Sequence, residues 1–423
     1  MRKIAADYVY TLDGGVKPVF RPLIEVEDSG RIISVNQYED TDSLPNGTEY
    51  HQGTLVPGFV NAHCHIELSH LKDAFREATG MSGFINQINE LRESVDKEGR
   101  LKAMEAEFKN FSLQGVVAVS DISNCNESFI FKKEYLNYSH SDEKPLFPVY
   151  YRTFVELFGT EKQDAPQILA GGQRVADEAS AMGLEASVTP HSCYTMSPRL
   201  LEITAKRGLE SGIISYHSQE SQEEEDMIMK GSGALADNYR GRGLSTPPVT
   251  GATALEYFID RLLEAEKENG GGNSKAQKQA GKIAGRINLV HNVVISQRSI
   301  DRAKETLLSP FFTICPLSNI FIHRQLPPIG LMRRNNLKIC LGTDSLSSNH
   351  ILDMVREMEC LQKSFPDLEL GEILSWTCAN GAELLARQDI LGSIAPGKTP
   401  GLVLLENLQD FKITERTTSR RIV

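Results

Sequence analysis

Short apolar runs rich in β-branched residues recur along the chain, separated by longer stretches of helical character. They are TLVPGFVNAH (54–63), GVVAVSD (115–121), LFPVYYRTF (146–154), LEASVTPH (184–191), GIISYHS (212–218), INLVHN (287–292), FFTICP (311–316) and LKICLGTD (337–344). Their length and branching suit buried strands. Parallel neighbours need a crossover to return the chain, so eight such runs alternating with helices predict an α/β fold, a closed (β/α)8 TIM barrel over residues 55–389.

The intervals are uneven. Residues 64–114 have room for a loop and an amphipathic helical stretch, and 218–286 for more than one helix. Within the latter, KENGGGNSKAQKQAGK (267–282) is polar and Gly-rich and reads as a surface loop with little core of its own. Both chain ends depart from the barrel pattern. KIAADYVYTLDGG and PLIEVEDSGRIISVN read as short strands joined by Asp-Gly and Ser-Gly turns, and LGSIAPGKTPGLVLLENL (391–408) again shows strand-like runs bounded by Pro and Gly. Residues 1–54 and 390–423 are therefore expected to pair into one small β-sandwich domain beside the barrel.

Composition narrows the function. The formal charge of −11, from 45 basic and 56 acidic residues, disfavours nucleic-acid or anionic-membrane partners and suits a neutral or cationic small molecule. The seven cysteines have no CxxC spacing and form an odd set, which fits reduced thiols better than a disulfide framework. No apolar export signal precedes Asp7, and no run approaches the ~18 residues of a membrane span, so the expected location is cytoplasmic.

The chemistry gathers at the ends of the predicted strands. His63 and His65 flank Cys64 at the end of the first run, and alternation along a strand lets positions i and i+2 face one ion. His191, His217, His291 and Asp344 end or directly follow the fourth, fifth, sixth and eighth runs. Barrel active sites lie at that C-terminal face, so five of the ten histidines and an aspartate converge there. Neutral imidazoles with one carboxylate favour Zn2+ or Fe2+ over Mg2+ or Ca2+. No lysine stands at the end of the fourth run to bridge two metals, which argues for one ion.

LVPGFVNAHCHIELSHL, YHSQES, LVHN, CPLSN and LGTDSLSSNHILDMVREM resemble successive motifs of the amidohydrolase superfamily, in its deaminase and chlorohydrolase branch. The resemblance spans about residues 5–405. It implies metal ligation by His63, His65, His217 and Asp344, a catalytic role for Glu220, and contact between His291 and the metal-bound water. A homodimer stays open as an expected partner, independent of the resemblance. TPHSCYTMSP is similar to a stretch of adenosine-type and S-adenosylhomocysteine-type deaminases, which implies that His191 binds substrate. HCHIELSHL resembles aminodeoxyfutalosine deaminases, pointing to a nucleoside. Ser345 departs from a common Gly, and Gly401 from a common acidic residue.

A divalent ion lowers the pKa of bound water toward neutrality. Glu220 is then expected to shuttle a proton, Asp344 to accept one from the water and His291 to hold the water in line. The bland alternative for Glu220 is a solvated carboxylate in ESQEEED (220–226). Glu156 and Arg152, near the end of the third run, are candidates for a polar substrate group or a surface ion pair, and Glu67 carries the same ambiguity. The expected reaction is hydrolytic deamination of an aminated heterocycle. Cyclic amide, imidazolone or halide hydrolysis on the same site is the alternative, and a catalytically silent binding barrel is the reading from another class.

Overall fold

A computed structural model describes residues 1–37, 44–136, 147–267, 278–279 and 281–423. Most of the Gly-rich stretch 267–282 lies outside the described residues. Eight parallel strands correspond to the eight apolar runs: β1 (Phe59–Cys64), β2 (Val116–Ser123), β3 (Tyr150–Leu157), β4 (Glu185–Pro190), β5 (Ile213–Ser218), β6 (Lys282–His291), β7 (Leu307–Ile314) and β8 (Ile339–Leu341). Every residue of β1, β2 and β5 is buried, as expected of strands covered on both faces by helices and interior side chains.

The arrangement is TIM-barrel-like, with one difference from the closed cylinder expected. The ladder runs as two sheets, a four-stranded one of β1 to β4 and a five-stranded one in which β5 to β8 are joined by the short strand Lys278–Gln279, antiparallel to β6; the barrel strands follow chain order in each. A few hydrogen bonds join the two sheets at each seam. His217 N–H donates to His191 O at 2.8 Å between β5 and β4, and Cys64 forms an isolated parallel bridge with Asp344 between β1 and the end of β8. Both seams fall on residues of the candidate site.

Between the strands, the amphipathic stretch after β1 becomes two helices, Gly80–Leu91 and Lys97–Gln114. The second starts where the Asp96 carboxylate accepts from Gly99 N–H and stops at Gly115, whose φ of +106° suits glycine. The long interval after β5 holds Gln222–Lys230, Ala234–Gly241 and Ala254–Lys267. No described helix is long and apolar enough to cross a membrane.

The chain ends do pair. Strands Arg2–Val9, Val19–Phe20, Pro22–Val26, Ile32–Gln37, Glu49–Pro57, Leu402–Glu406 and Thr418–Arg421 make one seven-stranded sheet rather than two facing ones among the described residues. One face carries a small core of its own, including Ile4, Ile24, Leu55 and Leu404. Val56, Val403 and Leu405 join the main core instead, so the opposite face packs on the barrel and takes the place of a second sheet. The expected boundary after residue 54 falls inside Glu49–Pro57, which runs into β1 through Gly58. A Cβ there would lie 2.1 Å from Val117 Cγ1 and 2.7 Å from Pro400 O, so only glycine passes.

Candidate metal centre and cavity

The i, i+2 spacing at the end of β1 brings His63 and His65 together, with their Nε2 atoms 3.1 Å apart. Asp344 reaches them from β8. Its backbone sits at φ +56° and its N–H donates to His63 O at 3.1 Å, which places Oδ1 3.7 Å from His63 Nε2 and 3.6 Å from His65 Nε2. The other carboxylate oxygen accepts from Ser318 Oγ at 2.6 Å and Ser348 Oγ at 2.9 Å, leaving Oδ1 free to face the histidines. His217, on β5, completes a group with His63 and His65 whose ligand atoms all lie within 4.8 Å of one another.

Four ligands around a tetrahedral ion at ~2.0–2.1 Å are separated by roughly 3.3 Å, close to the spacings found here. Burial and the neighbouring His217 push His63 well below its ordinary value, toward the neutral form that ligates, whereas at His217 burial is outweighed by the Glu156 carboxylate, which raises it to about 9. The residues fit a divalent cation.

Glu220 and His291 face each other beside this cluster. Asn319 Nδ2 donates to His291 Nδ1 at 3.1 Å, which leaves the ring proton on Nε2, 3.5 Å from Glu220 Oε1. Glu220 is buried despite its place in an acidic run, because the run enters the helix Gln222–Lys230 and turns Glu220, Glu224 and Glu225 inward. Its N–H donates to Glu224 Oε2 at 2.7 Å, and burial pushes its carboxyl up to about 8.

His191, at the end of β4, stacks on His217 with ring centroids 4.4 Å apart, and its Nδ1 lies 2.8 Å from both Ser192 Oγ and Thr195 Oγ1. Burial takes it down to about 3. Glu156 sits beside the two stacked rings, with Oε1 3.1 Å from His217 Nδ1 and Oε2 3.8 Å from His191 Nε2. Burial opposes its charge, but the two histidines hold its carboxyl down to about 2.

Two candidates lie elsewhere. Arg152 shares a strand face with Glu156 but pairs with Glu185, the first residue of β4, about 13 Å down the strand at the usual rise. It does not line the cavity. Its Nη2 donates to Ser187 Oγ at 2.6 Å, and the guanidinium lies over the Phe154 ring. Glu67 stands behind the cavity wall, accepting from Arg92 Nη2 at 3.1 Å and Asn124 N–H at 2.7 Å. It fixes those two lining residues in place.

The cavity measures about 480 Å³. Its floor is the polar cluster, and one wall is apolar: Leu68, Met81, Phe84, Ile85 and Ile88, mostly from the helix Gly80–Leu91. Phe158 and Tyr194 add aromatic surface. Sequence reasoning found none of this wall, nor the orienting roles of Ser318, Asn319 and Ser348. The CPLSN motif was the available signal for two of them, since Pro316 opens a short helix that points Ser318 and Asn319 at the site.

A barrel-like α/β fold with histidines and an aspartate converging at its strand ends defines a metal-dependent hydrolase of the barrel type. The chain belongs to the amidohydrolase family, whose sequence pattern matches residues 54–422. It is 25% identical over 411 residues to a 5'-deoxyadenosine deaminase of Methanothermobacter thermautotrophicus, covering 93% of this chain and 82% of that one. It is 23% identical to an aminodeoxyfutalosine deaminase of Nitratiruptor, covering 86% of this chain and 82% of the relative. Among solved structures, the fold matches Helicobacter pylori aminofutalosine deaminase in complex with methylthio-coformycin, with a TM-score of 0.77, 20% identity and full coverage of both chains. It also matches a zinc-complexed atrazine chlorohydrolase of Arthrobacter aurescens, with a TM-score of 0.68, 14% identity, and 95% and 86% coverage.

Proposed function

We propose that this chain is a cytoplasmic deaminase that hydrolyses the exocyclic carbon–nitrogen bond of a purine nucleoside-like heterocycle and releases ammonia. One divalent ion, Zn2+ first and Fe2+ second, is held by His63, His65, His217 and Asp344. The observation that carries the reading is the geometry of the cavity floor, where His63, His65 and Asp344 meet within 3.7 Å beside the facing pair Glu220 and His291. The relatives named for deaminases of adenosine-type compounds support the substrate class.

When bound, the ion supplies a water of lowered pKa and polarises the carbon under attack. The protein supplies the rest. Glu220, protonated near neutral pH because it is buried, hands its proton to a ring nitrogen and takes one back for the leaving amine. His291 offers its Nε2 proton toward the attacking oxygen, held in that tautomer by Asn319. Asp344 keeps Oδ1 toward the ion and its other oxygen in hydrogen bonds from Ser318 and Ser348, and the proton its carboxylate takes from the attacking water returns to Glu220 once ammonia has left. His191 faces the heterocycle from the cavity side, and the apolar wall excludes bulk water around it. The barrel, 55–389, carries this chemistry, and the end sheet, 1–54 with 390–423, supports it.

The test is ammonia release by the metal-loaded chain across adenosine, 5'-deoxyadenosine, guanine, pterins and amino-triazines. Turnover concentrated on the 6-aminopurine nucleosides is expected. Ring opening or chloride release without ammonia on any of these classes would replace the reading with the alternative hydrolase.

A further inference from the structure

Glu156 borders the cavity but has no part in the reaction above. Its backbone is anchored, since Asn124 Nδ2 donates to Glu156 O at 2.6 Å. Its side chain is 5% exposed, and Oε1 lies 3.1 Å from His217 Nδ1. Both atoms are sealed from solvent and neither completes a hydrogen bond, so what joins them is a close carboxylate–imidazole approach. The stacked ring of His191 covers His217 on one side, so this nitrogen has no route to water or substrate. A neutral imidazole carries one proton, and a carboxylate beside Nδ1 keeps it there, leaving the Nε2 lone pair for a cation.

We infer that Glu156 is a positioning residue that fixes the tautomer and ring orientation of His217 for the metal, and that it is not a substrate contact. The inference rests on the proposed metal centre. It differs from the substrate role expected of Glu156 because the carboxylate oxygen nearest His217 is sealed from the cavity.

The test measures metal affinity, so it needs no substrate. Full-length protein is stripped with a chelator, and Zn2+ affinity is measured by competition with a chromophoric chelator for the wild type, Glu156→Met and Glu156→Gln. Methionine keeps the volume and removes the acceptor, while glutamine keeps an acceptor at the same place. Affinity is expected to fall about 10–100-fold in the methionine variant and to recover at least in part with glutamine. The visible absorption of the Co2+-loaded methionine variant should shift from that of the wild type. Wild-type affinity and an unchanged Co2+ spectrum in the methionine variant, with KM raised, would overturn the inference and return Glu156 to the substrate. A wild-type chain that binds no stoichiometric Zn2+ would instead overturn the metal centre itself.

Discussion

Two buried polar clusters lie side by side on β1 and β2, and they are built on opposite principles. In the first, Lys132 and Asp121 are fully buried and 2.6 Å apart, and Lys132 Nζ also donates to Ser123 Oγ at 2.9 Å and Thr153 Oγ1 at 3.0 Å. Asp121 accepts in addition from Ser123 Oγ and from the N–H of Ile66, next to His65. Three ammonium protons meet three acceptors. In the second cluster, His63 Nε2 and His65 Nε2 turn toward each other and toward Asp344 Oδ1, while His291 Nε2 has no hydrogen-bond partner. A saturated buried network holds a fold together, whereas unsaturated nitrogens converging on one point are arranged for a guest.

The contrast breaks most sharply if the second cluster holds no guest. Wild-type protein is expected to carry one divalent ion per chain, and His63→Ala or Asp344→Ala to lose it along with turnover while the cooperative unfolding transition persists. Elemental analysis with unfolding curves on the same samples checks this, and two ions per wild-type chain would overturn the single-site assignment. Next comes Glu220→Gln, which should keep the metal and lower turnover by ~10²–10⁴, because an amide holds a hydrogen bond but cycles no proton. Near wild-type turnover in the fully metallated variant would remove Glu220 from the chemistry.

The saturated cluster should answer in stability instead. Lys132→Met leaves the Asp121 carboxylate buried without its cation, at a cost of about 3–5 kcal/mol in urea unfolding. Adding Asp121→Leu should recover much of that loss, and a double variant no more stable than the single would show that the pair is not the source. The smallest effect is expected from Arg152→Met, with kcat and KM both unchanged, since the guanidinium lies down the strand from the cavity. A raised KM would bring Arg152 back to the substrate.

The strand ends and their histidines were legible because parallel strands buried on both faces leave unbroken apolar runs, and a barrel fixes which end of each run carries chemistry. Depth along a strand was not. Arg152 and Glu156 alternate onto the same face, and sequence gives the face but not which of the two reaches the mouth. Glu220 was ambiguous for a related reason. Its acidic neighbours suggest a solvated surface, but the helix that follows splits them, exposing Gln222 while Glu224 and Glu225 are buried. The sandwich expected at the chain ends proved to be one sheet, because its second face found the barrel to pack against. Alternating patterns mark a face as buried without naming what covers it.

The seam between β1 and β8 also dictates when the site can first exist. His63 leaves the ribosome early, but the N–H of Asp344 that clasps its carbonyl belongs to the end of the last barrel strand. At ~5–20 residues per second, the first two histidines wait many seconds for the aspartate. The strand that feeds β1 waits longer still, because Glu49–Pro57 pairs with Leu402–Glu406 near the end of the chain. A centre of the proposed composition can therefore assemble only once the last barrel strand is made, and a chain released before Asp344 would carry the His63–His65 pair without its carboxylate.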